Sequence, residues 1–163
     1  MKAKILPMGE ADLDAVHAIE NRVYSQPWTV NLFRGELNQP DKRIYLVAKV
    51  GDRVIGYGGI MFIDSEAHLT TIAVDTAFQG KGVGSMITLR LVELAILKRV
   101  HWLTLEARAS NTAAIGLYEK FGFKKIGERP GYYADGENAA IMWTNDIQGD
   151  EYKTLIQNIK TGV

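Results

Sequence analysis

Leu69-Thr70-Thr71-Ile72-Ala73-Val74-Asp75-Thr76-Ala77-Phe78-Gln79-Gly80-Lys81-Gly82-Val83-Gly84 is the stretch whose reading decides the fold. Its first half, Leu69 to Val74, is a β-branched apolar run of the length of a buried strand. Asp75 to Phe78 then leads into a loop with glycine at every second position, Gly80, Gly82 and Gly84. The apolar-periodic segment from Met86 to Val100 follows without a break. Strand, glycine loop and helix in that order suit phosphate: glycines let the backbone come close, amides converge, and the helix N-terminus carries about half a positive charge. A tight strand-to-helix turn would use the same glycines. A dinucleotide fingerprint does not fit, because the third position of G-x-G-x-x-G is Ser85 in one register and Ile87 in the other. A Walker A loop does not fit either, since no Lys-Ser or Lys-Thr follows.

Composition narrows the remaining classes. The 163 residues are 47% hydrophobic and 23% charged, which describes one folded domain rather than a disordered or fibrous chain. With 19 basic and 19 acidic residues and no dense basic run, no nucleic-acid partner is expected. Cysteine is absent, which removes disulfides, thiolate metal sites and a cysteine nucleophile. His17, His68 and His101 lack ligand spacing, so no metal is expected. Acidic residues at Glu10 and Asp12 interrupt any signal-peptide core, and Leu91 to Leu97 is too short to span a bilayer. The expectation is a cytoplasmic protein with no membrane contact, monomeric or weakly dimeric.

Along the chain, Lys4 to Leu6 reads as a strand, Ala11 to Tyr24 as an amphipathic helix, and Thr29 as the cap of a short second helix. Arg43 to Val50 and Arg53 to Ile63 read as strands joined at Gly51-Asp52, and Gly56, Gly58 and Gly59 suggest a bulge or a close approach. After a turn at Asp64 to Glu66 comes the central strand, then the long helix and a further strand, His101 to Glu106. A crossover of this length implies that those two strands are parallel. Asn111 caps a helix that stops at Gly122. Phe123 to Glu128 and Ala139 to Asn145 read as strands around a Tyr- and Gly-rich loop, and Asp150 onward as a C-terminal helix. The fold class is α/β (α+β): a mixed, mostly antiparallel seven-stranded sheet with a central parallel pair, flanked by about four helices plus the C-terminal one. The division expected is a domain over 1–148 and a helical extension over 149–163.

Two side chains stand out chemically. Glu106 closes its predicted strand beside the crossover helix, where open α/β sheets bind ligands, although a surface or capping acid would look the same. Tyr118 lies between Ile115 and Phe121 on a short helix and could equally be core.

Gln79-x-x-Gly82-x-Gly84, Leu105-Glu106-x-Arg108-x-Ser110-Asn111 and Ala114-x-x-Leu117-Tyr118-x-x-x-Gly122-Phe123 together resemble the GCN5-related N-acetyltransferases (GNAT), in particular the ribosomal-protein-alanine type. The resemblance covers about Lys4 to Trp143. It implies acetyl-CoA as cosubstrate and no metal. Ile72, Ala73 and Val74 would pair with the pantetheine arm; Gln79, Gly80, Lys81, Gly82, Val83, Gly84 and Ser85 would hold the pyrophosphate, and Asn111 would bond the pantetheine. Glu106 would be the general base and Tyr118 the general acid. Tyr24, Trp28, Tyr132 and Tyr133 would line a groove for the acceptor. That acceptor would be a protein or peptide N-terminus, in this type the N-terminal alanine of a small-subunit ribosomal protein. Acetylation of a small amine or a lysine, or a non-catalytic acyl-CoA sensor, remain alternatives. Retention of both proton-transfer groups speaks against the sensor.

The chemistry requires the same parts. Acetyl transfer from a thioester needs a neutral amine, an oxyanion donor and a proton for sulfur. An α-amine has pKa about 7.7–8.0 against about 10.4 for lysine, so one carboxylate suffices as base for an N-terminus. A phenol, with pKa about 10, remains a proton donor at neutral pH. A backbone N–H near Val74 is the expected oxyanion donor.

Overall fold

The computed structural model describes residues 2–162. Its seven strands are β1 (Lys4–Pro7), β2 (Arg43–Val50), β3 (Arg53–Ile63), β4 (Glu66–Val74), β5 (Trp102–Arg108), β6 (Lys124–Arg129) and β7 (Ala139–Trp143). Its helices are α1 (Leu13–Val23), α2 (Val30–Leu37), α3 (Val83–Leu97), α4 (Thr112–Lys120) and α5 (Asp150–Gly162), with 3-10 turns at Glu10–Asp12 and Thr76–Phe78. The sheet order is β1-β2-β3-β4-β5-β7-β6, and β4 runs parallel to β5 from Glu66 opposite Trp102 to Leu69 opposite Leu105. Pairs β1–β2, β2–β3, β5–β7 and β6–β7 are antiparallel. The mixed, mostly antiparallel sheet with a parallel pair expected from the sequence is the one observed.

Two compact units make up the chain, with boundaries cut inside β3, β4 and α3. The first comprises Met1–Met61 and Thr70–Glu93. Here successive residues of β3 face opposite sides, as a pleated strand requires. Tyr57 meets Phe33 of α2 edge to face at 5.7 Å, in a core with Leu13, Val16 and Ile19 of α1. Gly58 faces α3, where an added Cβ would lie 2.6 Å from Ile87. The close approach inferred from the strand glycines is therefore real, and a register shift also falls beside Gly56, opposite Ala48 and Lys49. Thr29 caps α2 as expected, accepting from the Leu32 N–H at 3.1 Å.

The second unit, Phe62–Leu69 and Leu94–Val163, holds the parallel pair, α4, the β6–β7 hairpin and α5. Several boundaries differ from the sequence reading. The central strand starts at Glu66, because its polar first residues pair with β5. Helix α3 begins at Val83 and ends at Leu97, not Met86 to Val100. Residues of a first turn need no preceding acceptor, and Arg99 takes a left-handed φ of 61° that ends the helix without a glycine. Strand β5 continues past Glu106 to Arg108, whose partner is Ala139. Glu106 thus lies inside the strand, opposite Ile141, rather than at its end. The helix at Asn111 stops at Gly122 with φ 85°, as expected.

Candidate functional site

In the first unit the end of β4 and the glycine loop form one surface. The Asp75 N–H donates to the Ile55 carbonyl on β3 at 2.8 Å, so by strand alternation Ile72 and Val74 direct their backbone groups to the opposite edge. On that edge the Tyr24 hydroxyl donates to the Ile72 carbonyl at 3.0 Å, and the Gln79 amide donates to the Val74 carbonyl at 3.1 Å. Gln79 therefore braces the loop against the strand. Gly80 and Gly82 have φ of 76° and 83°, and nothing lies within 4 Å of a Cβ placed on either. A backbone open on this side admits a bulky anion. Val83, Gly84 and Ser85 follow in the first turn of α3, whose N–H groups lack intrahelical acceptors. These features fit the pyrophosphate of a coenzyme A substrate.

The loop's base is ionic. Asp75 is 3% exposed and receives Arg22 in a bidentate fork, Nε at 3.1 Å and Nη2 at 3.0 Å, with Arg53 at 3.6 Å. Arg53 also stacks over the Phe78 ring at 4.9 Å, and Lys81 stands 5.6 Å from the same ring. Neither Asp75 nor its arginines stood out in the sequence, because Arg22 and Asp75 are 53 positions apart. The Tyr24-to-Trp28 loop is anchored as well. Glu20, 4% exposed, accepts from the Trp28 N–H at 2.9 Å and from the Tyr57 hydroxyl, while Trp28 packs on Phe33 at 5.2 Å.

In the second unit the polar residues gather on β5 and the β6–β7 loop. The Glu106 carboxylate faces the Tyr132 hydroxyl, and Arg129 Nε lies 3.8 Å from the same carboxylate. That carboxylate is the chief reason the Tyr132 phenol is held above its ordinary pKa. Burial raises Tyr133, opposed by the cation of Arg108, which stacks at 4.1 Å over its ring. Arg108 in turn is gripped by Asp135 at 2.8 Å and Glu137 at 3.0 Å. Glu137 also takes the Ser110 N–H at 2.9 Å, tying the tyrosine loop to the entry of α4. His68, paired with Thr104 on β5, bonds its hydroxyl at 2.8 Å. Desolvation lowers the pKa of His68, partly offset by Glu106 and Glu66.

The resemblance assigned Tyr132 and Glu106 to different tasks, and the fold brings them together. Arg108, Arg129, Asp135, Glu137 and His68 had no assigned task. Of these Arg108 carried a signal as part of the Leu-Glu-x-Arg motif, and Glu137 as part of the resemblance from Tyr132-Tyr133 to Ala139. Asn111 caps α4, its Oδ1 accepting from the Ala114 N–H at 3.1 Å. Tyr118, on α4, is 9% exposed and meets Phe123 edge to face at 5.8 Å. Among the described residues no group of three His, Cys, Asp or Glu could hold a metal ion, and no helix is long and apolar enough to cross a membrane.

The first unit thus carries a glycine-loop edge and the second a carboxylate–phenol cluster. Residues 13–123 match the acetyltransferase (GNAT) family, and the chain belongs to that family. It is an N-acetyltransferase with acetyl-CoA as donor. A Salmonella typhimurium relative, named ribosomal protein bS18-alanine N-acetyltransferase, is 37% identical over 137 residues, covering 83% of this chain and 91% of its own length. The crystal structure of the ribosomal-protein-S18-alanine N-acetyltransferase from Escherichia coli superimposes with TM-score 0.81 at 32% identity, covering 91% of this chain and 97% of that one. Ard1 from Thermoplasma volcanium superimposes with TM-score 0.83 at 27% identity, covering 90% and 99%.

Proposed function

We propose that this enzyme acetylates the N-terminal α-amine of a protein, with a ribosomal protein beginning in alanine as its acceptor. The observation that carries the reading is Glu106 on β5, its carboxylate facing the Tyr132 hydroxyl and 3.8 Å from Arg129 Nε. A carboxylate held among exchangeable donors can give them up to an incoming ammonium. The relatives named ribosomal protein bS18-alanine N-acetyltransferase, which this chain matches over most of its length, support the same acceptor.

The donor acetyl-CoA supplies an activated acyl group. Its pyrophosphate suits the amides from Gly80 to Ser85, its pantetheine the backbone edge of Ile72 and Val74 together with Asn111. Glu106 takes the proton from the ammonium, directly or through a water. The freed amine nitrogen bonds to the acyl carbon while the C–S bond breaks, and the Tyr118 O–H protonates the departing sulfur. The second proton, shed by the nitrogen as the amide forms, restores the Tyr118 phenol by way of solvent. The Val74 N–H faces the edge on which the oxyanion would form. Tyr24, Trp28, Tyr132 and Tyr133 supply aromatic walls for the acceptor.

The test is thiol release with short peptides beginning Ala-, Ser- and Met-Leu-, beside an N-blocked peptide carrying lysine. Turnover on the free N-termini alone, best on Ala-, is the expected result. Turnover on the lysine peptide, or on none while coenzyme A still raises the melting temperature, would move the acceptor to a lysine or a small amine.

A further inference from the structure

We propose that Tyr152, on the C-terminal helix beyond the family match, is a positioning residue for Tyr118; the inference rests on the acid role given to Tyr118 above. The C-terminal turn of α4 sets where the Tyr118 ring points. The Tyr118 carbonyl accepts two N–H bonds, from Phe121 at 2.9 Å and Phe123 at 3.1 Å. Its ring leans on Phe123. Any change in the turn from Phe121 to Phe123 therefore tilts the phenol.

That turn is held from α5. The Phe121 carbonyl, one of the acceptors a helix end leaves without a partner, receives the Tyr152 hydroxyl at 2.7 Å in a buried bond. Gly122, the left-handed residue of the turn, presents a bare Cα: a Cβ there would lie 3.0 Å from the Tyr152 ring and 3.2 Å from Leu155. Burial drives the Tyr152 phenol far above its ordinary pKa, so it remains a donor at every working pH. The approach of α5 is fixed too. Ile147 N–H bonds the His101 carbonyl at 2.8 Å, and Asp146 pairs with His101 at 3.0 Å. The Gln148 amide donates to the carbonyls of Ile96 at 3.0 Å and Val100 at 2.9 Å, closing the end of α3. A docking role alone would be met by phenylalanine, which fills the same space. The hydroxyl adds a directed bond to the turn that carries the proposed acid.

The experiment is a double-mutant cycle on the full chain, with kcat and KM for acetyl-CoA measured well below the lowest melting temperature. Tyr118→Phe is expected to lower kcat about 100-fold or more. Tyr152→Phe keeps the ring on Gly122 and is expected to lower kcat about five- to tenfold, with KM for acetyl-CoA changed less than about twofold. In the double variant kcat should equal that of Tyr118→Phe, because the second change acts through the first. Ile159→Ala, which thins the buried face of α5 elsewhere, should lower the melting temperature and leave kcat alone. Unchanged kcat in Tyr152→Phe, additive losses in the cycle, or an equal kcat loss in Ile159→Ala would overturn the positioning role and leave the acid role standing. Normal kcat in Tyr118→Phe would overturn both. If Tyr152→Phe is not folded at the assay temperature, the cycle is run at a lower temperature and read by the same criteria.

Discussion

The Glu106 carboxylate, in the middle of β5, is the chief cause that holds the Tyr132 phenol of the β6–β7 loop above its ordinary pKa. A carboxylate facing a phenol disfavours loss of the phenol's proton, so Tyr132 stays neutral beside Glu106.

Glu106→Gln should lower the rate by about 100-fold or more and most steeply at low pH, where fewer amines are already neutral. In the same variant the Tyr132 phenol, no longer facing a carboxylate, should titrate closer to 10.0 in an ultraviolet difference spectrum. A pH-independent rate loss in Glu106→Gln would assign the base elsewhere.

Gly82 tests the phosphate loop. With φ 83° and open space beside it, Gly82→Ala meets no clash but carries a left-handed backbone cost of about 1–2 kcal/mol. Relaxation of that strain would redirect the amides of the loop. Isothermal titration should show coenzyme A binding weakened by about tenfold, while the melting temperature of the free protein falls modestly.

Asp75 supports the same loop from below. Asp75→Asn keeps the shape but discharges the group that receives Arg22 and Arg53. Loss of charge-assisted bonds at a buried oxygen is worth about 1–3 kcal/mol, and the half-exposed arginines hold the cost toward the lower end. Urea unfolding should show the loss, and a higher KM for acetyl-CoA should accompany it.

His68 supplies a pH signature. Its folded pKa lies below the unfolded 6.5, so the unfolded chain binds this proton first. Its contribution to stability is full above 6.5 and is lost as pH falls from there toward the folded pKa. His68→Gln can still bond Thr104 and should flatten the fall in melting temperature over that window.

Local pattern carried much of the architecture in advance. Arg43–Val50 and Arg53–Ile63 were legible as strands because alternation and the Gly51-Asp52 turn are short-range signals. Caps at Thr29 and Asn111 and the stop at Gly122 were legible because each rests on one residue's own hydrogen-bonding or backbone freedom. The acyl-transferase class, the donor and the glycine loop followed from motifs contiguous in the chain.

Tertiary structure decided the rest, since distance along the chain carries no record of contact. Strand β5 reaches Arg108 only because β7 pairs with it, which turned Glu106 from a strand end into a mid-strand residue. The fork of Arg22 on Asp75, the Tyr24 bond to Ile72 and the grip of Arg108 on Asp135 and Glu137 join residues whose separate positions say nothing of one another. Tyr152 is the plainest instance: periodicity marked it as the buried face of a helix, and only the packing of α5 on Gly122 put its hydroxyl on the Phe121 carbonyl.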